Sequence, residues 1–282
     1  MKKKSHRSGI GILPIALLLI CSIGFAAYFG YLTIKDISEH NKAKKEYQTI
    51  TLNFTKPVET VKTTDLPEET VPLYPVRDID YTSLKSQNKD YIGWLYFPFI
   101  GNDEEHSFTV DYPVVYENYR NQYLRTTFDG EHNTGGCIFM DNKSNPSFYG
   151  YNDIIYGHHM RDNSMFGNLE IIHQMDDPDY LKDNPQFLYI YTKTACHVYV
   201  MIGYEQTDSR SFSYNAAYDN KAYDQIKDYI KSLDTYINYD CFTWAGRPEI
   251  LNLSTCDSAV SGGKQRFIVH FVKVMAYEYD EE

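Results

Sequence analysis

The longest hydrophobic run of the chain lies at its N-terminus. Residues 9–32 carry no charged side chain. A helix of this length spans ~36 Å at ~1.5 Å per residue, which exceeds the ~30 Å hydrocarbon core of a bilayer. A basic segment at residues 2–7 precedes the run, and such segments stay on the cytoplasmic side of a membrane. The pattern predicts a transmembrane helix over 9–32 with a cytoplasmic N-terminus.

A cleaved signal peptide is the alternative interpretation of this run. Its apolar core would span ~7–15 residues and end at small residues resembling A-x-A. Here the apolar run continues through aromatic residues as far as Tyr31, and no such cleavage site follows. Retention as a membrane anchor is therefore favoured, with the rest of the chain extracellular from about residue 33.

The remaining sequence divides by composition. Residues 1–8 form a basic cytoplasmic tail, and 33–50 are polar enough to continue the anchor helix outward. Four prolines fall within 51–76, which predicts an extended spacer. We therefore interpret 33–76 as an extracellular stalk and 77–282 as one catalytic domain.

Period-two patterns dominate the predicted domain. Short runs rich in β-branched and aromatic residues are separated by Gly, Asn and Pro, and such runs predict strands in a mainly β fold of the barrel type. The predicted strands are 92–98, 112–116, 136–140, 152–156, 187–192, 197–205, 250–254 and 266–277. Asp80 is placed to cap a short helix over 80–88. Residues 217–236 carry apolar side chains at helical spacing, which predicts an amphipathic helix that covers the barrel surface.

Charge and motif content exclude several function classes. The net charge is −11, and an acidic chain without a basic stripe is a poor nucleic-acid binder. No phosphate-binding glycine loop occurs, and no calcium loop or paired C-x-x-C motif is present, so we expect neither a cofactor nor a metal. The five cysteines are interpreted mainly as buried thiols, with disulfides as the alternative.

Two short segments carry candidate chemistry. Cys256 lies just beyond the predicted strand 250–254 and Arg266 starts the next strand, so an antiparallel pair would bring their side chains together. A free thiol is only a few per cent thiolate at neutral pH, and a cationic or imidazole neighbour raises that fraction. His158 and His159 follow Gly157 just beyond another predicted strand. The alternatives are a structural cysteine and two solvent-exposed loop histidines.

The order of these segments resembles that of class B sortases from about residue 80 to the C-terminus. The motifs that carry the resemblance are Ile92-Gly-Trp-Leu, Asp111-Tyr-Pro-Val-Val, Gly136-Cys-Ile-Phe-Met-Asp, Ile155-Tyr-Gly-His-His-Met, Asn163-Ser-Met-Phe-Gly, Leu253-Ser-Thr-Cys and Arg266-Phe-Ile-Val-His. The resemblance implies an eight-stranded sortase β-barrel with N-terminal helices packed on it and a long helix before the cysteine strand. Cys137 departs from the family pattern, in which Ser or Ala is common at that place.

The resemblance also implies an activity. His158, Cys256 and Arg266 fall on the family's catalytic positions, with His159 a bystander. The implied enzyme is a membrane-anchored cysteine transpeptidase that cleaves an NP-x-T-x-like sorting signal of secreted surface proteins at the Thr carbonyl. It passes the acyl group to an amine of peptidoglycan or lipid II. A pilin-polymerising sortase, a hydrolytic cysteine peptidase and a non-catalytic surface scaffold remain the alternatives.

Overall fold

Eight strands close into a single β-barrel in the computed structural model, which describes residues 12–56, 75–175, 177, 179–258 and 265–279. The strands are β1 (Tyr91–Phe99), β2 (Phe108–Tyr116), β3 (Ile138–Met140), β4 (Asn152–His159), β5 (Phe187–Tyr191), β6 (Ala195–Asp208), β7 (Ile250–Ser258) and β8 (Gln265–Glu278). Their order around the barrel is β1-β2-β3-β4-β7-β8-β6-β5. The predicted eight-stranded barrel is therefore confirmed, with each strand within a few residues of its predicted place.

Most pairs in the barrel are antiparallel, but β2 with β3 and β4 with β7 run parallel. Parallel neighbours require a long crossover connection. The connection from β4 to β7 contains β5, β6 and the helix α4 (Asn220–Lys231). As a result, two strands that lie about 100 residues apart in sequence have their carboxyl ends at the same end of the barrel.

The amphipathic helix is shorter than predicted. It begins after Asp219, whose side chain accepts a hydrogen bond from the backbone N–H of Ala222, and it ends at Lys231. This N-cap contact explains why the helix excludes residues 217 and 218. The apolar face buries Tyr223, Ile226 and Ile230 against the barrel, as the periodicity predicts.

The first helix, α1 (Ile12–Phe54), continues without interruption from the apolar run into the polar segment. It is long and apolar enough to cross a membrane, and its apolar half is exposed. Its later half packs on the barrel through the buried side chains of Ala43, Tyr47 and Ile50. The helix thus reaches the folded domain well before the proline-containing segment, of which residues 57–74 lie outside the described part of the chain.

Several shorter helices connect the strands in the described part of the chain. Helix α2 (Tyr81–Gln87) begins where the sequence predicts, because the Asp80 carboxylate accepts a hydrogen bond from the backbone N–H of Ser83 at 2.9 Å. Helix α3 (Tyr180–Asp183) precedes β5, and a 3₁₀ helix, Gly167–Gln174, follows β4.

A buried polar network connects β6, β8 and α4. Glu205 of β6 is 7% exposed and accepts hydrogen bonds from the hydroxyls of Ser211 and Tyr229, both at 2.8 Å. His270 Nε2 of β8 lies 3.5 Å from Glu205 Oε1. Burial raises the pKa of Glu205, but the neighbouring His270, Ser213 and Tyr229 lower it more, to about 2. The carboxylate of Glu205 is therefore ionised in the folded protein at neutral pH.

The network predicts an acid-dependent loss of stability. Because the folded-state pKa of about 2 lies below the ordinary value of 4.5, the contribution of Glu205 is complete above pH ~4.5 and is lost as the pH falls toward ~2. We expect Glu205→Gln to lower the free energy of unfolding at pH 7 by ~1–3 kcal/mol, and this deficit should shrink at pH 3. Urea unfolding of the full chain in detergent at pH 7, 5 and 3 measures the deficit.

The matched control is the exposed Glu104, whose replacement by Gln should leave the free energy of unfolding nearly unchanged at every pH. A Glu205→Gln deficit that stays constant from pH 7 to pH 3 would contradict the role assigned to this carboxylate.

Candidate active site

Three adjacent strands, β4, β7 and β8, bring the sequence-predicted residues to one end of the barrel. In the β4–β7 pair, Gly157 lies opposite Thr255 and His159 lies opposite Ser258. One residue of β4, His158, therefore faces two residues of β7, Cys256 and Asp257. This irregularity is a β-bulge, a feature that re-aims side chains and is frequent beside active sites.

The antiparallel register of β7 and β8 continues the arrangement. The pairs of β7 and β8 extend as far as Ser254 and Ile268. Extrapolating that register by two residues would bring Cys256 opposite Arg266, and neighbouring strands lie ~4.8 Å apart. The backbone thus sets Cys256 beside His158, and the extrapolated register predicts Arg266 on its other side.

The structure corrects the predicted strand ends. β4 runs through His159 and β7 runs through Ser258, while β8 begins one residue before Arg266. The histidines therefore close a strand instead of following it, and Cys256 lies within β7 instead of just beyond its last residue. The reason is the parallel pairing of β4 with β7, which keeps both backbones extended beyond the apolar pattern that defines a strand in sequence.

The His158 imidazole is held by a backbone carbonyl. Its Nε2 lies 2.6 Å from Leu124 O, and the ring is partly buried. A carbonyl oxygen only accepts hydrogen bonds, so we assign the hydrogen in this contact to Nε2. Nδ1 is then the nitrogen that gains or loses a proton.

His159 has a different environment from its neighbour. Its Nε2 lies 3.5 Å from Glu170 Oε2, on the 3₁₀ helix that follows β4. Successive side chains of a strand leave on opposite faces, which explains why the two imidazoles have separate partners.

Gly157 is required by packing. A Cβ added at this position would lie 2.6 Å from Ile138 Cδ1 and 2.6 Å from the ring of Phe166. Both side chains are fully buried, so neither can move without disturbing the core. The glycine of the Gly-His motif therefore lets β4 pass close to the core at the point where it presents His158.

The residues before Cys256 tie β7 to its surroundings. The Thr255 hydroxyl accepts a hydrogen bond from the Phe267 backbone N–H at 2.9 Å, which holds β7 against β8 beside the bulge. Ser254 Oγ lies 2.7 Å from the hydroxyl of Tyr214. The ring of Tyr214 stacks on that of Tyr156 at 6.2 Å between centroids, so an aromatic pair borders the strand that carries the cysteine.

Arg266 is half-buried and lies opposite Thr207 of β6. Its Nη1 donates a hydrogen bond to the Gln265 carbonyl at 3.0 Å. An open cleft of about 500 Å³ adjoins it, lined by Gln206, Thr207, Asp208, Arg210, Ser211 and Gln265. Arg266 thus lies beside solvent-accessible space, next to the lining residue Gln265 and opposite the lining residue Thr207.

Burial disfavours the thiolate form of three other cysteines. Cys137 and Cys196 are buried free thiols, and burial raises the pKa of both. Burial also raises the pKa of Cys241, although its side chain is exposed, which corrects the expectation of a buried thiol there. Cys21 is exposed on the apolar half of α1. Within the described residues no cluster of three or more His, Cys, Asp or Glu side chains has metal-binding geometry.

Comparison with known proteins identifies the family. A family model of the sortase domain matches residues 106–274, more than half of the chain, and the protein belongs to this family. Sortase B of Listeria monocytogenes is 29% identical over 194 residues, which cover 69% of this chain and 73% of the relative. Sortase B of Staphylococcus aureus is 25% identical over 276 residues, covering 95% and 97%. The predicted resemblance to class B sortases is confirmed.

Solved structures share the fold. A Staphylococcus aureus sortase B–substrate complex superposes with a TM-score of 0.54 and 25% identity, over 69% of this chain and 85% of that chain. Sortase B from Bacillus anthracis superposes with a TM-score of 0.58 and 23% identity, over 84% and 99%. The protein is a sortase transpeptidase by family, and the roles of its individual residues remain predictions.

The packing at Gly157 yields a testable expectation. Gly157→Ala forces Ile138 and Phe166 apart or shifts β4, and a shift of ~1 Å at a catalytic group costs on the order of 100-fold in rate. We therefore expect kcat/KM on a sorting peptide to fall by about that factor, with circular dichroism showing a retained barrel.

Gly24→Ala is the matched control, because a Cβ there has no neighbour within 4 Å and activity should be unchanged. Wild-type kcat/KM in Gly157→Ala would mean that the core yields at this point and that the glycine is not needed to present His158.

Proposed function

We propose that this protein cleaves a C-terminal sorting signal through a Cys256 thioester and transfers the acyl group to a cell-wall amine. The observation that supports the proposal is the β4–β7 bulge, where the backbone of His158 lies opposite Cys256. The β7–β8 register, extrapolated by two residues beyond its last pair, would bring Arg266 to the other side of Cys256. Acyl transfer needs a nucleophile, a general acid–base and a cation that stabilises the oxyanion. In this protein the candidates for these groups lie on three neighbouring strands.

In the first stage the Cys256 thiolate attacks the scissile carbonyl of the bound peptide. The developing oxyanion is stabilised by the Arg266 guanidinium, a type of contact worth ~10²–10³ in rate for each donor. The imidazolium of His158 then protonates the leaving amine. This proton transfer contributes ~10²–10⁴ in rate.

The hydrogen bond to Leu124 O gives His158 a defined orientation. With Nε2–H donated to the carbonyl, Nδ1–H is the proton available to the leaving amine. The carbonyl dipole favours the charged form of the ring, so it supports the imidazolium that the first stage uses. After the leaving group departs, neutral Nδ1 is the base that deprotonates the incoming amine.

One comparison supports a protein substrate. A similar solved structure, at 25% identity, is a sortase B–substrate complex. By analogy, we propose that the first substrate is a secreted surface protein with an NP-x-T-x-like signal. The amine of peptidoglycan or lipid II is the proposed second substrate.

The paired histidines provide the sharpest test. His158→Ala should lower kcat/KM on one sorting peptide by ~10²–10⁴, because the proton carrier is lost. His159→Ala should lower it by ~10-fold at most, since the imidazole of His159 has its own partner in Glu170. Arg266→Lys should also be severely impaired, because an ammonium keeps the charge but not the planar fork of donors.

Cys256→Ala is the inactive reference, and Cys196→Ala is its matched control because both lie on barrel strands. Circular dichroism checks folding, and product analysis with and without an added amine separates transfer from hydrolysis. Equal and mild losses at both histidines, or turnover by Cys256→Ala, would remove the Cys–His–Arg assignment.

We also propose that α1 anchors the enzyme, with its N-terminus cytoplasmic and the barrel extracellular. The proposal is supported by the exposed apolar half of α1. Leu18→Arg with Phe25→Arg should release the chain from membranes, because each charge costs ~2.5–3.5 kcal/mol at the centre of a span. Fractionation and protease treatment of intact cells measure retention and sidedness. A mature form that begins near residue 33 in the medium would contradict the anchor.

A further inference from the structure

The polar half of α1 packs on the loop that holds His158. This loop, residues 123–137, folds back on itself: the Cys137 backbone N–H donates to Tyr123 O at 3.1 Å, and the Asn133 N–H donates to Arg125 O at 2.9 Å. Its neck therefore pairs residues 123–125 with 133–137. Leu124, whose carbonyl accepts the His158 Nε2–H, lies within that neck.

Contacts from α1 follow the loop along its length. The Tyr47 hydroxyl donates to Gly136 O at 2.8 Å, and its oxygen lies 3.1 Å from Cys137 Sγ. The Asn133 side-chain amide donates to Glu39 O of α1 at 2.9 Å. Ala43 is 1% exposed and leaves only 3.0 Å to the Cβ position of Gly135. Most of these groups are buried, so α1 and the loop form a packed interface.

Gly136 connects the Tyr47 contact to Leu124. Its φ of +54° is in the left-handed region, and a Cβ there would lie 2.6 Å from the carbonyl oxygens of both Tyr123 and Leu124. The backbone of Gly136 is thus in direct contact with the carbonyl that orients His158. A shift of Gly136 toward Leu124 would therefore displace that carbonyl.

The chain that follows His158 is also held from this side. Lys44 Nζ of α1 lies 3.0 Å from Asp162 Oδ2, four residues beyond His158. The Met165 N–H donates to the hydroxyl of Tyr112 at 3.0 Å, and the Tyr112 ring contacts that of Tyr47 at 5.5 Å between centroids. Both supports of His158, the Leu124 carbonyl and the segment after β4, therefore adjoin the same two turns of α1.

We infer that α1 is part of the catalytic scaffold, and that Tyr47 is a positioning residue that fixes the orientation of the His158 imidazole through Gly136 and Leu124. The inference rests on the proposed function for the role of His158. It assigns a second role to the helix that the sequence predicts as an anchor. Removing the contact of this helix with the loop should impair proton transfer while leaving the cleft beside Arg266 intact.

Tyr47→Phe tests this inference because it removes one hydroxyl and keeps the buried ring. The expected result in the full chain in detergent micelles is a fall in kcat of ~10-fold with KM within about twofold, since an ill-oriented general acid affects the chemical step and not binding. The pKa of the His158 imidazole should fall as well, because the carbonyl that favours its charged form is displaced.

Tyr223→Phe is the matched control. Tyr223 is fully buried, and its hydroxyl donates to the carbonyl of Pro248 at the same 2.8 Å, before the start of β7 and at the opposite end of that strand from Cys256. This variant loses an equivalent hydrogen bond, so it should match Tyr47→Phe in thermal stability but keep wild-type kcat. The charged groups near the site, Glu170, Asp162 and Arg266, are the same in both variants.

The imidazole pKa is measured by NMR with ¹³C-labelled histidine in a Cys256→Ala background, where His158→Gln assigns the signal. This readout needs no turnover, so it tests the positioning role even if the peptide assay shows that the proposed reaction is wrong. Tyr47→Phe with the kcat and the imidazole pKa of Tyr223→Phe would overturn the inference. So would equal losses of kcat in both variants, because a general loss of stability would then explain the effect.

Discussion

One buried amide determines where the three strands of the candidate site stand relative to each other. Asn252 of β7 is 1% exposed, and its Nδ2 donates to Asn152 Oδ1 of β4 at 2.7 Å. Its Oδ1 lies 2.7 Å from His270 Nδ1 of β8. A slip of either neighbouring strand by one residue would turn its polar partner to the other face and leave the buried amide unpaired. The register that sets His158 and Arg266 beside Cys256 is therefore fixed four residues earlier on the same strand.

The same network extends outward from the barrel. His270 contacts Glu205, which in turn accepts the hydroxyl of Tyr229 on α4. The insertion between β6 and β7 is thereby connected to the strands that carry the site, although its helix contributes no catalytic candidate. Buried ionic groups of this kind contribute little net stability compared with apolar packing but penalise alternative arrangements heavily. We interpret this network as the interaction that specifies strand register in the barrel. Such specification is needed because the parallel pair of β4 and β7 joins segments that are distant in the sequence.

Local patterns were sufficient to predict the strands but not the contacts between them. The runs around Trp94, Val114 and Leu253 are apolar because these residues are buried in the barrel. A run of apolar residues can be recognised in the sequence, so these strands could be predicted. The Gly-His motif and the cysteine motif were visible as well. The hydrogen bond from His158 to Leu124 left no sequence signal, because any residue supplies a carbonyl. The docking of α1 and the β4–β7 bulge depend on pairings between distant segments, so composition and periodicity do not report them.

The position of α1 restricts how the barrel can move relative to the N-terminal apolar segment. A flexible stalk would let the barrel rotate freely above a membrane, but α1 is continuous from Ile12 to Phe54 and already contacts the folded domain at Glu39. Glu39 lies seven residues after the apolar run ends at residue 32, which is ~10 Å along a helix. The first contacts are with the 123–137 loop and Asp162, which border the His158 end of the barrel. If the apolar half lies in a bilayer as proposed, the His158 end of the barrel faces the membrane, and the continuous helix sets the distance between them.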